Sequence, residues 1–418
     1  MSLPITAKNN AQGHLEVGGC DVTQLAKEFG TPLYVVDEAT LRDSCCQYVN
    51  SFKELYPNTE IAFASKALCT VGISKIIAEE GLGFDVSSGG ELFTVLKAGA
   101  DPKKIYFHGN NKSVQEIEEG IKAGIGRFMV DNEQEILKLN ASAEKLGKDA
   151  HILIRVNPGI DAHTHEFIQT GKIDSKFGVP FEQLESFINK IKEFKRIKLE
   201  GFHAHIGSQI FDVKPFIEEV KLLLALTKKY GTKEINIGGG IGISYTDSDN
   251  PPAIKDFAKE IAGVLKGETD AKLILEPGRS IVGRSGITIY TVGVIKDIPG
   301  IRKYVLVDGG MSDNPRPILY DAKYEALLGN KAGAKPEETV RVGGRFCESG
   351  DILIKEVKLP KIEPGDILVT TCTGAYNYAM ASNYNRVPRP AMVIVNNGKA
   401  RIIVKRESYN DLTLNDAH

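Results

Sequence analysis

The chain has 418 residues, of which 42% are hydrophobic and 25% are charged, and 52 basic residues nearly balance 54 acidic ones to give a formal net charge of -2. These proportions exclude disordered and fibrous classes, and the missing basic excess argues against a nucleic-acid or anionic-membrane surface. At roughly 150 residues per domain, the length predicts two or three domains.

The N-terminal segment, the apolar runs and the cysteines bear on where the protein is located. Residues 1–13 are polar, so no signal peptide is expected, and no apolar run reaches the roughly 18 residues that a membrane span needs. The 6 cysteines show no CxxC spacing, and Cys45 and Cys46 are adjacent, which favours free thiols in a reducing compartment. We therefore expect a soluble cytoplasmic protein.

The first two thirds of the chain alternate β-rich runs with amphipathic stretches. Strands are predicted at residues 61–65, 83–87, 105–108, 127–131, 151–156, 200–205, 234–237 and 272–276. Apolar residues at i, i+3 and i+4 predict helices at residues 72–80, 91–98, 114–123, 133–146, 181–194, 213–230 and 254–265. Eight alternating units over about 220 residues are typical of a TIM barrel. An open doubly wound sheet, which has similar local patterns, is the alternative.

After Arg279 the pattern changes to strands joined by turns, without long helices. The predicted strands are residues 285–295, 303–307, 340–347, 352–357, 366–371, 391–395 and 401–405. Residues 32–36 read as one more strand, which has no barrel partner and is expected to join these. The prediction is an α/β protein with an N-terminal segment (1–36) that joins the β domain, a (β/α)8 barrel (37–280) and an all-β sandwich or barrel domain (281–418).

Polar or glycine-rich residues close all eight predicted barrel strands. They are Lys66, Asp85, His108, Asp131, Arg155, the pair His203 and His205, the glycine run 238–242, and Glu276. Barrel enzymes place their chemistry on the loops at the carboxyl ends of the strands, because only that rim is open and converges on one axis. The sequence therefore predicts an active site at this rim.

Lys66 and Glu276 each allow a structural and a chemical interpretation. A lysine that closes a strand usually extends to solvent, but desolvation at a catalytic rim would make its amine a nucleophile that forms Schiff bases. Glu276 could form a structural ion pair with Arg279. Alternatively, Glu276 could bind a ring nitrogen while Arg279 holds a substrate carboxylate in a bidentate fork.

The histidine pair and the glycine run are also open to more than one interpretation. His203 and His205 share a face of their strand. They could be packed, could lie on a ring, or could ligate zinc, although no matching histidine array accompanies them and no metal is predicted. Residues 238–242 could form a tight turn or bring backbone N–H groups to a phosphate, but they are not a Walker loop. A Schiff-base lysine, a phosphate loop, a stacking histidine and a carboxylate for a ring nitrogen together indicate pyridoxal 5′-phosphate.

Six segments, in this order, resemble the fold-type III pyridoxal-phosphate-dependent decarboxylases, and among them the diaminopimelate decarboxylases. They are Ala62-Phe63-Ala64-Ser65-Lys66-Ala67, His203-Ala204-His205-Ile206-Gly207-Ser208-Gln209, Gly238-Gly239-Gly240-Ile241-Gly242, Glu276-Pro277-Gly278-Arg279, Cys347-Glu348-Ser349-Gly350-Asp351 and Thr373-Gly374-Ala375-Tyr376. The resemblance covers nearly the whole chain. It implies an alanine racemase-like fold, with a cofactor-binding barrel followed by a β domain.

The resemblance also implies residue roles. Lys66 would carry pyridoxal 5′-phosphate covalently, His205 would stack on its ring and Glu276 would bind the ring nitrogen. The remaining cofactor-binding residues would be Asp85, Ser208, Gly238, Gly239, Gly240, Pro277, Gly278, Arg279 and Tyr376. The residues at the distal end of the amino-acid substrate would be Arg279, Arg316, Tyr320, Glu348 and Tyr376. Cys347 would be the acid that protonates the carbanion, and it would come with Glu348 from the partner subunit of a head-to-tail homodimer.

The implied reaction is decarboxylation of meso-2,6-diaminopimelate to L-lysine, the last step of lysine biosynthesis. The alternatives are decarboxylation of ornithine, arginine or carboxynorspermidine, and, less favoured, racemisation. The resemblance suggests that a racemase would place an arginine at the ring nitrogen, where this chain has Glu276. Ornithine or arginine decarboxylases would meet a cationic distal end with an acidic residue, whereas Arg279 and Arg316 suit a distal carboxylate. Without the resemblance, Cys347 would be a small apolar residue closing a strand and Tyr376 an interface tyrosine. His163 and His165 are expected in a solvated loop, and residues 174–177 resemble a family loop near the substrate.

Overall fold

The structure, a computed structural model, describes residues 1–159 and 175–417. His163, His165 and Asp174 lie outside the described residues. The chain divides into two compact units. The first, here called the β unit, comprises Met1–Asp43, Ile243–Asn250 and Ile281–His418, and the second, the barrel unit, comprises Ser44–Gly242 and Pro251–Ser280.

The N-terminal elements belong mostly to the β unit. They are β1 (Lys8–Asn9), β2 (Leu15–Val17), β3 (Cys20–Asp21), α1 (Val22–Phe29), β4 (Leu33–Asp37) and α2 (Glu38–Leu55). Helix α1 begins where the Asp21 carboxylate accepts the amide of Thr23, which is a typical N-cap. The sequence prediction contained neither α1 nor α2. The β unit is therefore mainly β rather than all-β.

Eight parallel strands close into a barrel, which confirms the TIM-barrel prediction and excludes the open sheet. They are β5 (Thr59–Ala64), β6 (Gly83–Val86), β7 (Ile105–Phe107), β8 (Arg127–Val130), β9 (Ala150–Arg155), β10 (Ile197–His203), β11 (Glu234–Asn236) and β12 (Lys272–Leu275). Each strand pairs with its sequence neighbour, and β12 closes the barrel on β5. All eight predicted strands are present, within a few residues of their predicted bounds.

Helices alternate with these strands, as the sequence predicts. They are α3 (Val71–Glu79), α4 (Gly89–Lys97), α5 (Val114–Ala123), α6 (Glu133–Leu146), α7 (Leu184–Ile191), α8 (Lys214–Tyr230), α9 (Ile254–Leu265) and the short α10 (Arg279–Val282). Helix α5 shows why the bounds are sharp. Ser113 and Glu116 form a reciprocal capping box at its start, and Gly124 ends it in the left-handed conformation.

A cluster of buried residues from five strands lies inside the barrel. Its members are Ala62, Tyr106, Met129, Leu153 and Ile274. Because side chains alternate along a strand, the residue two positions further on points to the same interior. That position is held by Arg155 at the end of β9 and by His108, Asp131 and Glu276 directly after β7, β8 and β12. The register that buries the core therefore also delivers polar groups to the rim.

The rest of the β unit is built around a mixed nine-stranded sheet that includes β4. Its other members are β13 (Gly286–Ile298), β14 (Arg302–Val307), β15 (Ala326–Leu328), β16 (Glu338–Gly343), β17 (Ile352–Leu359), β18 (Ile367–Thr370), β19 (Ala391–Asn396) and β20 (Lys399–Val404). Strand β4 lies between β13, its antiparallel partner, and β19, its parallel partner. Two short helices complete the unit, α11 (Arg316–Tyr320) and α12 (Tyr409–Thr413).

No helix within residues 1–159 and 175–417 is long and apolar enough to cross a bilayer.

Candidate active site

Glu276, directly after β12, is the centre of a buried polar network. Its Oε1 accepts hydrogen bonds from Asn236 Nδ2 at 2.7 Å and from His108 Nε2 at 2.8 Å. Its Oε2 lies 3.3 Å from His203 Nε2. Burial opposes ionisation of this carboxyl, but His108 and His203 outweigh it and hold the pKa of Glu276 well below its usual range. The site therefore contains a fixed negative charge inside the barrel.

Asp85, which belongs to β6, is the second buried carboxyl of the site. Its Oδ1 lies 3.8 Å from His108 Nε2 and has no hydrogen-bond partner among the described residues. Burial raises the pKa of Asp85, and the charge of Glu276 adds to that rise while His108 opposes it. The two carboxyls flank one imidazole, and Asp85 presents an unsatisfied oxygen to the site.

The histidine pair ends β10 and the loop that follows it. Burial lowers the pKa of His203 to about 3 and that of His205 well below its ordinary value, so both rings are neutral at pH 7. The His108 and His203 rings meet edge to face, with centroids 4.9 Å apart. His203 Nε2 is close to Glu276 but poorly aligned with it, and neither of its ring nitrogens has a hydrogen-bond partner within the described ranges.

The structure adds His108 to the side chains that could ligate zinc, a histidine that lies outside the His203 and His205 motif. One donor atom each from His108, His203 and Glu276 lies within 4.8 Å of the others. However, His108 Nε2 donates its proton to Glu276, because a carboxylate can only accept. In this arrangement the Glu276 carboxylate is the acceptor of the His108 proton, and His203 packs beside it.

The loop after β11, residues 238–240, approaches other backbone too closely for side chains. A Cβ at Gly239 would lie 2.2 Å from the carbonyl oxygen of Glu276, and one at Gly240 would lie 2.5 Å from that of Gly207. Gly240 also has φ +122°, which strains any residue with a side chain. The run is therefore a backbone cradle that requires glycine, and a tight turn alone would not require it at all these positions.

Ser208 and Arg279 come together from the loops after β10 and β12. Arg279 is buried at the start of α10, and its Nη2 donates to Ser208 Oγ at 2.9 Å. The segment that precedes it is tied to β5, since the Pro277 carbonyl accepts the amide of Ala64 at 3.1 Å. Gly278 lies in the same turn, between β12 and α10.

Lys66 lies in a 3-10 turn (Ser65–Ala67) directly after β5. Strands β5 and β12 pair in parallel, so Lys66 and Glu276 are at the same end of the barrel. Lys66 is also close enough to Asp85 and His205 for its charge to act on both. Its side chain is exposed, contrary to the expected desolvation, because the turn carries it beyond the packed strand.

Lys112 is a buried residue of the site loops for which the sequence suggested no role. Its Nζ donates to the carbonyl oxygens of Gly109 at 2.8 Å and Met129 at 2.7 Å, and it also pairs with the Glu135 carboxylate. These bonds tie the loop that follows His108 to β8 and α6. Lys112 therefore fixes the backbone from which His108 reaches Glu276.

The β unit carries the other predicted site residues. Arg316 and Tyr320 begin and end α11, and Arg316 is buried while Tyr320 is half-buried. Arg316 Nη1 donates to the Tyr324 hydroxyl at 2.5 Å. Tyr376 is half-buried with φ +61°. The sequence interpretation did not include Tyr324, because nothing in the local pattern distinguishes it from a core tyrosine.

Cys347 and Glu348 lie in the turn between β16 and β17, and both side chains are exposed. Strand β16 ends at Gly343, so the predicted strand 340–347 is too long and Cys347 does not close a strand. The Cys347 amide donates to Asn385 Oδ1 at 3.0 Å. Asp351 holds the same turn through the Phe346 amide, which donates to its Oδ2 at 2.8 Å.

The barrel rim fits pyridoxal 5′-phosphate. An ionised carboxylate at Glu276 can accept a hydrogen bond from a protonated ring nitrogen. The Asp85 Oδ1 atom and both His203 ring nitrogens are buried polar atoms without a hydrogen-bond partner among the described residues. The glycine cradle and Ser208 offer the close N–H and O–H approach that an anion needs. Lys66 supplies the amine.

Comparisons with known proteins agree with this site. A family model described as "Pyridoxal-dependent decarboxylase, pyridoxal binding domain" matches residues 42–283. The diaminopimelate decarboxylase of Synechocystis sp. is 49% identical over 99% of this chain and 92% of its own length. That of Bacillus methanolicus is 46% identical over 96% of each chain. The crystal structure of diaminopimelate decarboxylase from M. jannaschii in co-complex with L-lysine superposes with a TM-score of 0.92 at 35% identity, covering 99% of this chain and 98% of that one.

Proposed function

The chain belongs to the diaminopimelate decarboxylase family of pyridoxal-dependent decarboxylases, and we infer from this that it converts meso-2,6-diaminopimelate to L-lysine and carbon dioxide. The reaction makes it a carboxy-lyase of lysine biosynthesis. The observation that carries this conclusion is the buried, ionised Glu276 at the barrel end that also bears Lys66. The Lys66 amine can react with a carbonyl carbon, and the Glu276 carboxylate can pair with a basic ring nitrogen of the same molecule.

Bound pyridoxal 5′-phosphate supplies an electron sink for the pair released when the carbon–carboxylate bond breaks. We propose that Lys66 holds the cofactor covalently and that the charge of Glu276 keeps the ring nitrogen protonated. His205, neutral and next to the glycine loop, is proposed to stack on the ring. Ser208 and the amides of residues 238–240 are proposed to bind phosphate, with Asp85 and Tyr376 as further contacts.

For the substrate, we propose that Arg279, Arg316 and Tyr320 hold the distal amino-acid end, helped by Glu348 and Tyr376. A fixed distal end sets the angle of the scissile carboxylate to the ring, which is how remote binding reaches the reacting carbon. Cys347 is proposed to deliver the proton that replaces carbon dioxide. The two arginines suit a distal carboxylate, which favours diaminopimelate over ornithine or arginine.

We also propose a cytoplasmic, head-to-tail homodimer in which each subunit lends Cys347 and Glu348 to the site of the other. The exposure of both side chains supports this, because a proton donor to a carbanion needs cover from water. The proposed domain bounds remain residues 1–36 with 281–418 for the β domain and residues 37–280 for the cofactor domain.

The test is a substrate panel. Purified protein with pyridoxal 5′-phosphate is incubated with meso-2,6-diaminopimelate, ornithine or arginine, and released carbon dioxide and product amine are measured. We expect carbon dioxide and L-lysine from diaminopimelate, and neither from a Lys66→Ala control. Carbon dioxide from ornithine alone would contradict the assignment.

A further inference from the structure

Arg316 is enclosed by aromatic rings within the β unit. It is 6% exposed, and its guanidinium carbon lies 4.7 Å from the centre of the Tyr245 ring and 5.5 Å from that of Tyr324. The two rings meet edge to face, with centroids 5.3 Å apart and planes at 79°. They therefore form a corner that surrounds the guanidinium.

The electrostatic environment of Arg316 keeps it charged. Burial acts to lower the pKa of Arg316, but the phenol groups of Tyr245, Tyr324 and Tyr376 outweigh it and hold that pKa above its usual value. These neighbours are phenols, and none of them is a carboxylate. A buried cation that is surrounded by phenol rings gains more from an anionic ligand than one that already has a carboxylate partner.

The hydrogen bonds of Tyr324 have a fixed direction. Arg316 Nη1 donates to its hydroxyl oxygen at 2.5 Å, and the hydroxyl donates to Asn377 Oδ1 at 3.2 Å. A guanidinium can only donate, so the phenol proton must point to the amide. Asn377 is fully buried, and it directly follows Tyr376. The Tyr324 hydroxyl therefore links Arg316 to Asn377 and presents its oxygen to the guanidinium.

We propose that Tyr324, supported by Tyr245, is a positioning residue that orients the guanidinium of Arg316 for the carboxylate at the distal end of the substrate. Rings that contact a guanidinium face leave its edges accessible, and a carboxylate binds in the plane of such an edge. Tyr324 uses Nη1, which directs the carboxylate to the edge formed by Nη2 and Nε. The consequence is selectivity for ligands with a distal carboxylate. The inference rests on the proposed substrate role of Arg316.

The test compares L-lysine and cadaverine as ligands of the holoenzyme. They differ only in the carboxylate that decarboxylation of diaminopimelate spares. Tyr324→Phe keeps the ring and removes the hydroxyl. We expect calorimetric titration to show L-lysine binding about tenfold more weakly, as for a lost hydrogen bond to a charged group, with cadaverine unchanged. The KM for diaminopimelate should rise while kcat changes less.

Tyr34→Phe is the matched control. The Tyr34 hydroxyl also makes a buried hydrogen bond in the β unit, to the Asp313 carbonyl oxygen at 2.5 Å. This variant should keep the wild-type preference for L-lysine over cadaverine, and a loss as large as that of Tyr324→Phe would overturn the inference. If Tyr324→Phe does not fold, Asn377→Ala replaces it. That change frees the phenol proton and should weaken L-lysine binding selectively, by a smaller factor, and an unchanged preference would overturn the inference.

The outcomes separate the inference from the proposed function. A wild-type enzyme that binds both ligands equally would overturn the substrate role of Arg316 and the inference with it. A wild-type preference for L-lysine that Tyr324→Phe retains in full would overturn the inference alone. Decarboxylation of diaminopimelate, measured in the substrate panel, is independent of both results.

Discussion

Glu276 of the barrel unit and Cys347 of the β unit are presented in opposite ways. In the barrel unit, Glu276 is buried, ionised and bonded to His108 and Asn236 before any ligand arrives. In the β unit, Cys347 is an exposed side chain on a turn. A preorganised charge needs a rigid, dry scaffold, whereas the role proposed for Cys347 as a proton donor requires that another surface cover its turn. The barrel unit therefore holds its buried charge in place without a ligand, whereas the turn of the β unit leaves the Cys347 side chain exposed.

The largest expected effect comes from complementation between two variants, one with a change in the barrel unit and the other with a change in the β unit. Lys66→Ala removes the barrel amine, and Cys347→Ala removes the proposed acid, which is expected to lower the rate by about 10²–10⁴-fold. If the subunits share sites, co-expressing the two variants should restore activity to about a quarter of the wild-type value, since half of randomly formed dimers hold one intact site. Activity is measured as carbon dioxide release.

The control for complementation combines Lys66→Ala with Glu276→Gln. Both changes fall in the barrel unit, so no mixed dimer contains an intact barrel and no restoration is expected. Restoration in this pair, or none in the first pair, would contradict the proposed division of labour between the units.

A smaller effect is expected from Glu276→Gln alone, which keeps the shape of the network and removes its charge. Without the charge the ring nitrogen loses its acidic partner, and we expect a fall in kcat of about 10²-fold together with weaker cofactor binding. Absorbance titration of the apoenzyme with pyridoxal 5′-phosphate measures the affinity. Glu234→Gln is the matched control, because Glu234 is a buried partner of Arg127 at the other end of the barrel. It should leave that affinity unchanged.

The smallest effects concern stability against pH, and they have opposite signs in the two units. Burial lowers the pKa of His203 from 6.5 to about 3, so the unfolded chain binds the extra proton and stability falls as pH drops below 6.5. Burial raises the pKa of Asp313 from 3.8 to about 7. That contribution is fully present below pH 3.8 and is lost as pH rises through about 7. Each limb has a slope on the order of 1.4 kcal/mol per pH unit.

Urea unfolding of wild type and Asp313→Asn between pH 5 and 9 measures the second limb. The variant should lose less stability than wild type as the pH rises through 7. Asp297→Asn, at an exposed position, should follow the wild-type curve. Parallel curves for wild type and Asp313→Asn would show that Asp313 is already ionised in the folded protein.

The two units also differ in how far the sequence predicts them. The barrel strands and the position of Glu276 follow from a period-two pattern that local sequence carries. The bond from His108 to Glu276 does not, because it joins strands far apart in sequence that meet only when the barrel closes. Asn236 was missed for the same reason, since an asparagine within a strand gives no local sign of its partner.

In the β unit the missing information is mostly in loops. Strand β16 ends before Cys347 because the turn is fixed by Asp351 and Asn385, and neither contact is visible as a repeat. The sequence does contain a pattern that indicates helix α1, namely the N-cap residue Asp21 before an amphipathic run. The sequence prediction, which was based on strands, did not include it. The corner of Tyr245 and Tyr324 around Arg316 depends on packing between segments distant in sequence, which composition and periodicity do not specify.

One consequence follows from the barrel interior, where Tyr106, Met129, Leu153 and Ile274 each precede a polar rim residue by two positions. Each core residue and its polar rim residue therefore belong to the same three-residue segment. Deleting a single residue ahead of the apolar residue in such a strand would turn that residue and the polar group outward together, so one change would damage both the core and the site.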